Sequence, residues 1–249
     1  MKYAFSAIAA AASLALAAPA LADPITLGAD DVGSSFSIDF DGFSGDSSGT
    51  VDGLTGTLTL TLDSVTGDAY NFSYTMDNTT GGGLTSNISS FAFDVDPDIS
   101  GASVDGAYSY SFVTDGRGSD PSYPNQIGTV DVCFKAKDSG SCSNGGGVAE
   151  GDSGSGTLSL FFDPSASEIT LSDFFLRYQG ITGAGGVTSA TGQQTSSTTT
   201  GGTPPGGTTS GTQVPAPGML GLLGLAMAAL GFMRRRRRPA EMQGQPAYA

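Results

Sequence analysis

Few side chains in this 249-residue chain are able to do chemistry, and their types decide which chemistry is open. Histidine and tryptophan do not occur. That removes Ser-His-Asp and Cys-His catalysis, histidine-ligated zinc, and the tryptophan platforms on which many sugar-binding modules depend. What remains is carboxylate chemistry and two cysteines. Asp94-Val-Asp-Pro-Asp98 alternates hard oxygen donors at a strand end, and Asp105 falls where a calcium loop wants its last carboxylate. Asp94, Asp96, Asp98 and Asp105 are therefore the candidate calcium ligands. The match is incomplete, because Ile99 stands where such a loop turns on glycine and Asp105 is shorter than the customary glutamate. A solvated acidic turn is the competing reading. Asp39 and Asp41 flank Phe40, so they share a wet face and are able to add ligands. Glu150 and Glu168 are the only glutamates before the C-terminal segment. Glu150 lies in the Gly/Ser-rich VAEGDSGSG, which offers no apolar pocket to raise a carboxyl pKa for glycoside hydrolysis. No phosphate-binding loop or dinucleotide fingerprint is present. Cys133 and Cys142 lie within one hairpin-sized segment, and no histidine exists to activate a thiol, so a disulfide is expected. Closing so short a loop contributes about 2.5 to 3 kcal/mol by chain entropy.

The elements that must position these residues have a period of two. Phe36/Ile38/Phe40, Leu58/Leu60/Leu62, Tyr70/Phe72/Tyr74/Met76, Phe91/Phe93/Val95, Tyr108/Tyr110/Phe112, Val130/Val132/Phe134 and Leu158/Leu160/Phe162 all alternate with small or polar residues. One face of each strand is expected to be buried and the other wet, as in antiparallel sheets. Between Ile169 and Ile181 the apolar phase changes, from Ile169 and Leu171 to Phe174, Leu176 and Tyr178, which predicts a bulge near Ser172-Asp173. Arg177 falls on the face opposite Tyr178, and pairing with an aspartate is its expected structural role, with ligand binding the alternative. About eight short strands without helices predict an all-β fold, a single antiparallel β-sandwich of jelly-roll or immunoglobulin-like arrangement over residues 23–182. From 183 to 213 the composition shifts to Gly, Ser, Thr and Pro, and a disordered linker or stalk open to O-glycosylation is expected.

Both ends carry targeting features. Lys2, the apolar run Ala4 to Ala18 and Ala20-Leu-Ala22 have the order of a secretory signal peptide over 1–22, cleaved between Ala22 and Asp23. At the other end VPAPGMLGLLGLAMAALGFMRRRRR (214–238) joins a turn, an apolar run and five arginines. As a helix the apolar part spans roughly the 30 Å hydrocarbon core, making one transmembrane helix. Pro215 and Pro217 bound it outside, and Arg234, Arg235, Arg236, Arg237 and Arg238 hold that end in the cytoplasm, with 239–249 as a short cytoplasmic tail. Residues 23–213 then lie outside, with four basic against 23 acidic groups and a net charge of −19. Such a surface repels nucleic acid and acidic polysaccharide, so no nucleic-acid partner is expected, and contact with a polyanionic matrix needs divalent cations.

The triple of Val214-Pro215-Ala216-Pro217, a Gly/Leu-rich span and an arginine cluster resembles the PEP-CTERM sorting signal of Gram-negative bacteria. That resemblance implies an inner-membrane anchor recognised by a membrane-embedded exosortase, cleavage near the box, and delivery to the cell surface or exopolysaccharide matrix. Ala216 stands where the family usually has Glu, and eleven residues, Pro239 to Ala249, follow the arginines where such proteins usually stop. SSFAFDVDPDISGAS (89–103), YPNQIGTVDVCFK (123–135) with Cys142, and LSDFFLRYQGI (171–181) are similar to the two-cysteine "cistern" group of PEP-CTERM proteins, which implies a disulfide and no activity.

The sequence thus points to a non-enzymatic, exported surface or matrix protein with a structural or interaction role in the biofilm layer. The alternative is a calcium-dependent carbohydrate-binding module that stacks sugars on exposed tyrosines; a glycoside hydrolase is the remote alternative.

Overall fold

A computed structural model describes residues 24–43, 49–113, 122–125, 127–138, 142 and 145–200. The signal segment 1–22, its cleavage point at Ala22/Asp23, the end of the linker (201–213), the sorting signal 214–238 and the tail 239–249 lie outside the described residues.

Alternation in the sequence becomes strand after strand. These are β1 (Ile25–Gly28), β2 (Ser35–Phe43), β3 (Thr50–Thr66), β4 (Ala69–Asn78), β5 (Thr85–Asp96), β6 (Gly101–Gly106) and β7 (Tyr110–Val113). There follow β8 (Ser122–Tyr123), β9 (Gly128–Thr129), β10 (Val132–Lys135), β11 (Val148–Ala149), β12 (Ser153–Phe161), β13 (Glu168–Thr182) and β14 (Ser189–Thr200). The described residues contain no α-helix, only a 3-10 turn at Ala29–Asp31. β3 and β4 join through Gly67-Asp68, where Gly67 has φ +64°, the left-handed conformation that a two-residue hairpin turn favours.

Apart from the small β8–β9 hairpin, the strands make one antiparallel sheet in the order β6-β12-β4-β3-β2-β14-β13-β5-β10-β7, with β1 beside β13 and β11 beside β5. The sheet curls so far that its two ends meet: Ser111 Oγ of β7 donates to the Ala102 carbonyl of β6 at 2.7 Å. The all-β antiparallel class is as the sequence predicts, and the sheet is nearly barrel-like. Phe36, Ile38, Phe40, Leu58, Leu60, Leu62, Tyr70, Phe72, Tyr74, Met76, Phe91, Phe93, Leu158 and Leu160 all turn into one core. At its centre the Phe91 ring lies 5.0 Å from Phe134, 5.2 Å from Tyr108 and 5.6 Å from Tyr74, so strands distant in sequence meet there.

Two expectations need correction. The sheet does not end at 182: residues 189–200, expected in a disordered linker, form β14, which fills the space between β13 and β2. The physical reason is size. Ala190 and Gly192 are small enough to lie over the β13 side chains, where a Cβ on Gly192 would stand 2.8 Å from Leu176 Cβ, and the β-branched threonines suit an exposed strand. The phase of Tyr108/Tyr110/Phe112 is also not kept. Tyr108 enters the core from a loop, while in β7 it is Val113 that packs against the core; Tyr110 is exposed and Phe112 packs on the outside. The bulge expected near Ser172-Asp173 is present as a register shift between Ser172 and Phe175, with Asp173 at φ +49°.

Candidate functional site

Chemistry-bearing residues gather on the outer face of β5, β10 and β13. This face is covered rather than wet. Ser90 and Ala92 of β5 are fully buried although they point away from the main core, because a second cluster of Tyr123, Val130, Cys133 and Cys142 lies on them, with Phe112, Ile127 and Phe175 around it. Cys133 and Cys142 are bonded as a disulfide, as the sequence predicts, within that cluster. Hydrogen bonds hold the cap down. Ser90 Oγ donates to the Cys142 carbonyl, and the Tyr123 hydroxyl donates to the Ser90 carbonyl at 3.2 Å. Asn125 Nδ2 donates to the Phe43 carbonyl and to Thr191 Oγ1, both at 3.1 Å.

Arg177 lies on this covered face. Its Nη2 donates to Ser189 Oγ at 2.9 Å, while Nε and Nη1 are buried without a hydrogen-bond partner among the described residues. Among the described residues no aspartate pairs with it as expected, and burial lowers its pKa. The reason lies in the register, which sets Arg177 between Ser90 and Thr191 and so gives it hydroxyl neighbours in place of carboxylates. Lys135 is buried as well, its Nζ 5.2 Å from the centre of the Phe112 ring, a cation–π contact.

The four candidate calcium ligands are not brought together. Asp94 is half-buried on β5; Asp96 and Asp98 are exposed at its end; Asp105 stands on β6 opposite Thr157 of β12, its carboxylate bound to the Gly106 N–H at 2.8 Å. Among the described residues no group of three or more Asp, Glu, His or Cys side chains is arranged to hold a metal. Asp94 instead clasps Asp131: Asp131 N–H donates to Asp94 Oδ1 at 3.1 Å, and Val95 N–H donates to Asp131 Oδ2 at 2.8 Å. Burial pushes the Asp94 carboxyl up to about 6, the Asp131 N–H partly opposes this, and the charges of Asp131 and Asp173 add to it. Asp39 and Asp41 do flank buried Phe40, but Asp39 is engaged by Thr57 Oγ1 at 2.9 Å and Ser196 Oγ at 2.7 Å, and Asp41 is half-buried with its pKa raised by desolvation.

Glu150 and Glu168 are far apart. The Glu150 N–H bonds the Ser86 carbonyl at one end of β5, and Glu168 is two residues from Thr170, the partner of Asp96 at the other. Ten residues of strand separate those ends, roughly 30 Å at ~3.3 Å per residue, far beyond the reach of a carboxylate pair on one glycosidic bond. The tyrosine platform is not formed either. Tyr70, Tyr74, Tyr108, Tyr123 and Tyr178 are buried, and among the described residues Tyr110 alone is exposed.

Sequence reasoning missed the covered face itself. Its signal is the run Ser89-Ser90-Phe91-Ala92-Phe93, where the residues between the core phenylalanines are small and neutral instead of long and charged, as befits a strand with both sides packed. No protein-family model matches this chain, and no curated protein matches it.

Proposed function

We propose that this chain is an exported surface or extracellular-matrix protein with a structural or interaction role in an exopolysaccharide layer, anchored through 214–238 and sorted there by an exosortase. The observation that carries the reading is the unbroken order of VPAP, apolar run and five arginines at one end of a chain that opens with a secretory signal. The acidic head is taken as a β-sandwich of jelly-roll or immunoglobulin-like type. Its layers are β6-β12-β4-β3-β2 and β14-β13-β5-β10-β7, a division supported by Tyr74 of β4 lying 5.6 Å from Phe91 of β5 across the core. What the head presents is attachment surface. Its bare face carries rows of hydroxyls, such as Thr198, Ser37, Thr59, Thr75 and Ser155 side by side on five strands, suited to hydrogen bonding and not to stacking.

Intact-mass analysis of the surface-associated protein tests this. A mass lacking 1–22 and the residues beyond the VPAP box is the expected result; retention of Arg234 to Arg238 reduces the sorting signal to a permanent anchor. A reporter fused after Gln213 that is inaccessible from the periplasmic side overturns the whole assignment.

A further inference from the structure

Cations are scarce in 23–213, four against 23 acids, yet two of the four are among its most buried polar residues: Lys135 at 5% exposure and Arg177 at 6%. Solubility gains nothing from them there. Backbone register sets both in one row across the covered face, where Thr191 of β14 lies opposite Arg177, Arg177 opposite Ser90, and Ser90 opposite Lys135. A guanidinium stays protonated under all ordinary conditions, and burying its charge without a counter-charge is strongly unfavourable. Ser189 satisfies Nη2 alone, leaving the N–H groups of Nε and Nη1 buried and unmatched. The side chains nearest in the register and the cap, Ser90, Thr191 and Tyr123, carry hydroxyls and no negative charge. Tyr123 itself stays neutral, because burial pushes its phenol well above the ordinary range.

We propose that this row is the binding site of a small monovalent anion of halide size, held by Arg177 through Nε or Nη1 beneath the cap of Tyr123 and the disulfide. One negative charge balances one guanidinium; a dianion would leave a buried charge uncompensated. Lys135, two strands along and so about 10 Å away at the backbone, has contacts of its own, among them the Phe112 ring, and the charge to be balanced is that of Arg177. The neighbouring hydroxyls already donate their protons, Ser90 to the Cys142 carbonyl, Tyr123 to the Ser90 carbonyl and Thr191 to the Pro124 carbonyl, so it is the Arg177 N–H groups that hold the anion. No covalent step is involved, and the anion acts as an internal counter-ion that ties β13 to the cap.

The test is thermal unfolding of the full chain in detergent, with chloride replacing gluconate at constant ionic strength. The expected result is a saturable rise in Tm, roughly 5 to 10 °C once chloride is ~100-fold above its Kd, and loss of that dependence in Arg177→Met. Equal melting in both salts, or a rise of the same size in Arg177→Met, overturns the proposal. Should Arg177→Met fail to fold, anomalous diffraction from wild-type crystals soaked in bromide decides: a peak at hydrogen-bond distance from Arg177 supports the site, and bromide at surface positions only overturns it.

Discussion

Two halves of one sheet treat their second face in opposite ways. On β2, β3, β4 and β12 the outer face is wet and core residues largely alternate with polar ones, many of them hydroxyls, with Ser37 Oγ 2.7 Å from Thr59 Oγ1 as one of the links between strands. On β5, β10 and β13 the outer face is roofed, so serine, alanine, lysine and arginine are buried alongside phenylalanine. Alternation alone does not distinguish them. The bare half spends its outer positions on cross-strand hydroxyl pairs of small energy. Among the described residues the capped half concentrates the disulfide, the buried cations and the Asp94–Asp131 clasp.

The comparison is broken most completely by removing the strand that joins the halves. A stop after Thr188, deleting β14, exposes the edges of β2 and β13 and is expected to abolish cooperative melting; retention of a wild-type transition would return 189–200 to the linker. Next comes the core that both halves share. Phe91→Ala removes the ring that touches Phe134, Tyr108 and Tyr74, and is expected to cost about 3 to 5 kcal/mol in denaturant unfolding. The disulfide separates the halves. Cys133→Ser with Cys142→Ser is expected to cost about 2.5 to 3 kcal/mol and to raise amide exchange in β10 and the cap while leaving β3 and β4 protected. Equal exchange in both halves would show that the cap is not a local unit.

Smaller effects follow from single polar groups. Asp94 has a folded-state pKa of about 6, above the ordinary 3.8, so the folded protein binds the proton more tightly than the unfolded chain. Its contribution to stability is full below the unfolded pKa and is lost as pH rises through about 6. Asp94→Asn keeps an oxygen acceptor for the Asp131 N–H and removes the charge. It is expected to melt a few degrees higher than wild type at neutral pH, roughly the effect of 1 kcal/mol, and to flatten the Tm profile between about pH 4 and pH 7. An unchanged profile would place the buried charge elsewhere. On the bare half, Thr59→Val is expected to stay within about 0.5 kcal/mol of wild type, since the outer face there is solvated.

Legibility differed by region for the same reason. Phe36/Ile38/Phe40 and Leu58/Leu60/Leu62 announce their buried face because water on the other side forces polar residues between them. The bulge at Ser172-Asp173 was legible because it shifts that phase within one strand. β14 was not, since Ser-Thr-Gly-Gln runs have the composition of a linker, and their strand character comes from neighbours that supply the apolar side chains. The candidate calcium residues were adjacent in sequence at Asp94, Asp96 and Asp98, but strand geometry turned Asp94 toward Asp131 and carried Asp105 to another edge.

The sequence by itself determined the all-β class, the period-two core and the cysteine pair, because these depend on side-chain type and local spacing. Only the tertiary structure decided that β5 and β13 are covered on both sides, that Arg177 has hydroxyl rather than carboxylate neighbours, and that Glu150 and Glu168 lie at opposite ends of β5. Each of those depends on which distant strands pair and in what register, and that choice is made by the shared core and not by any single segment.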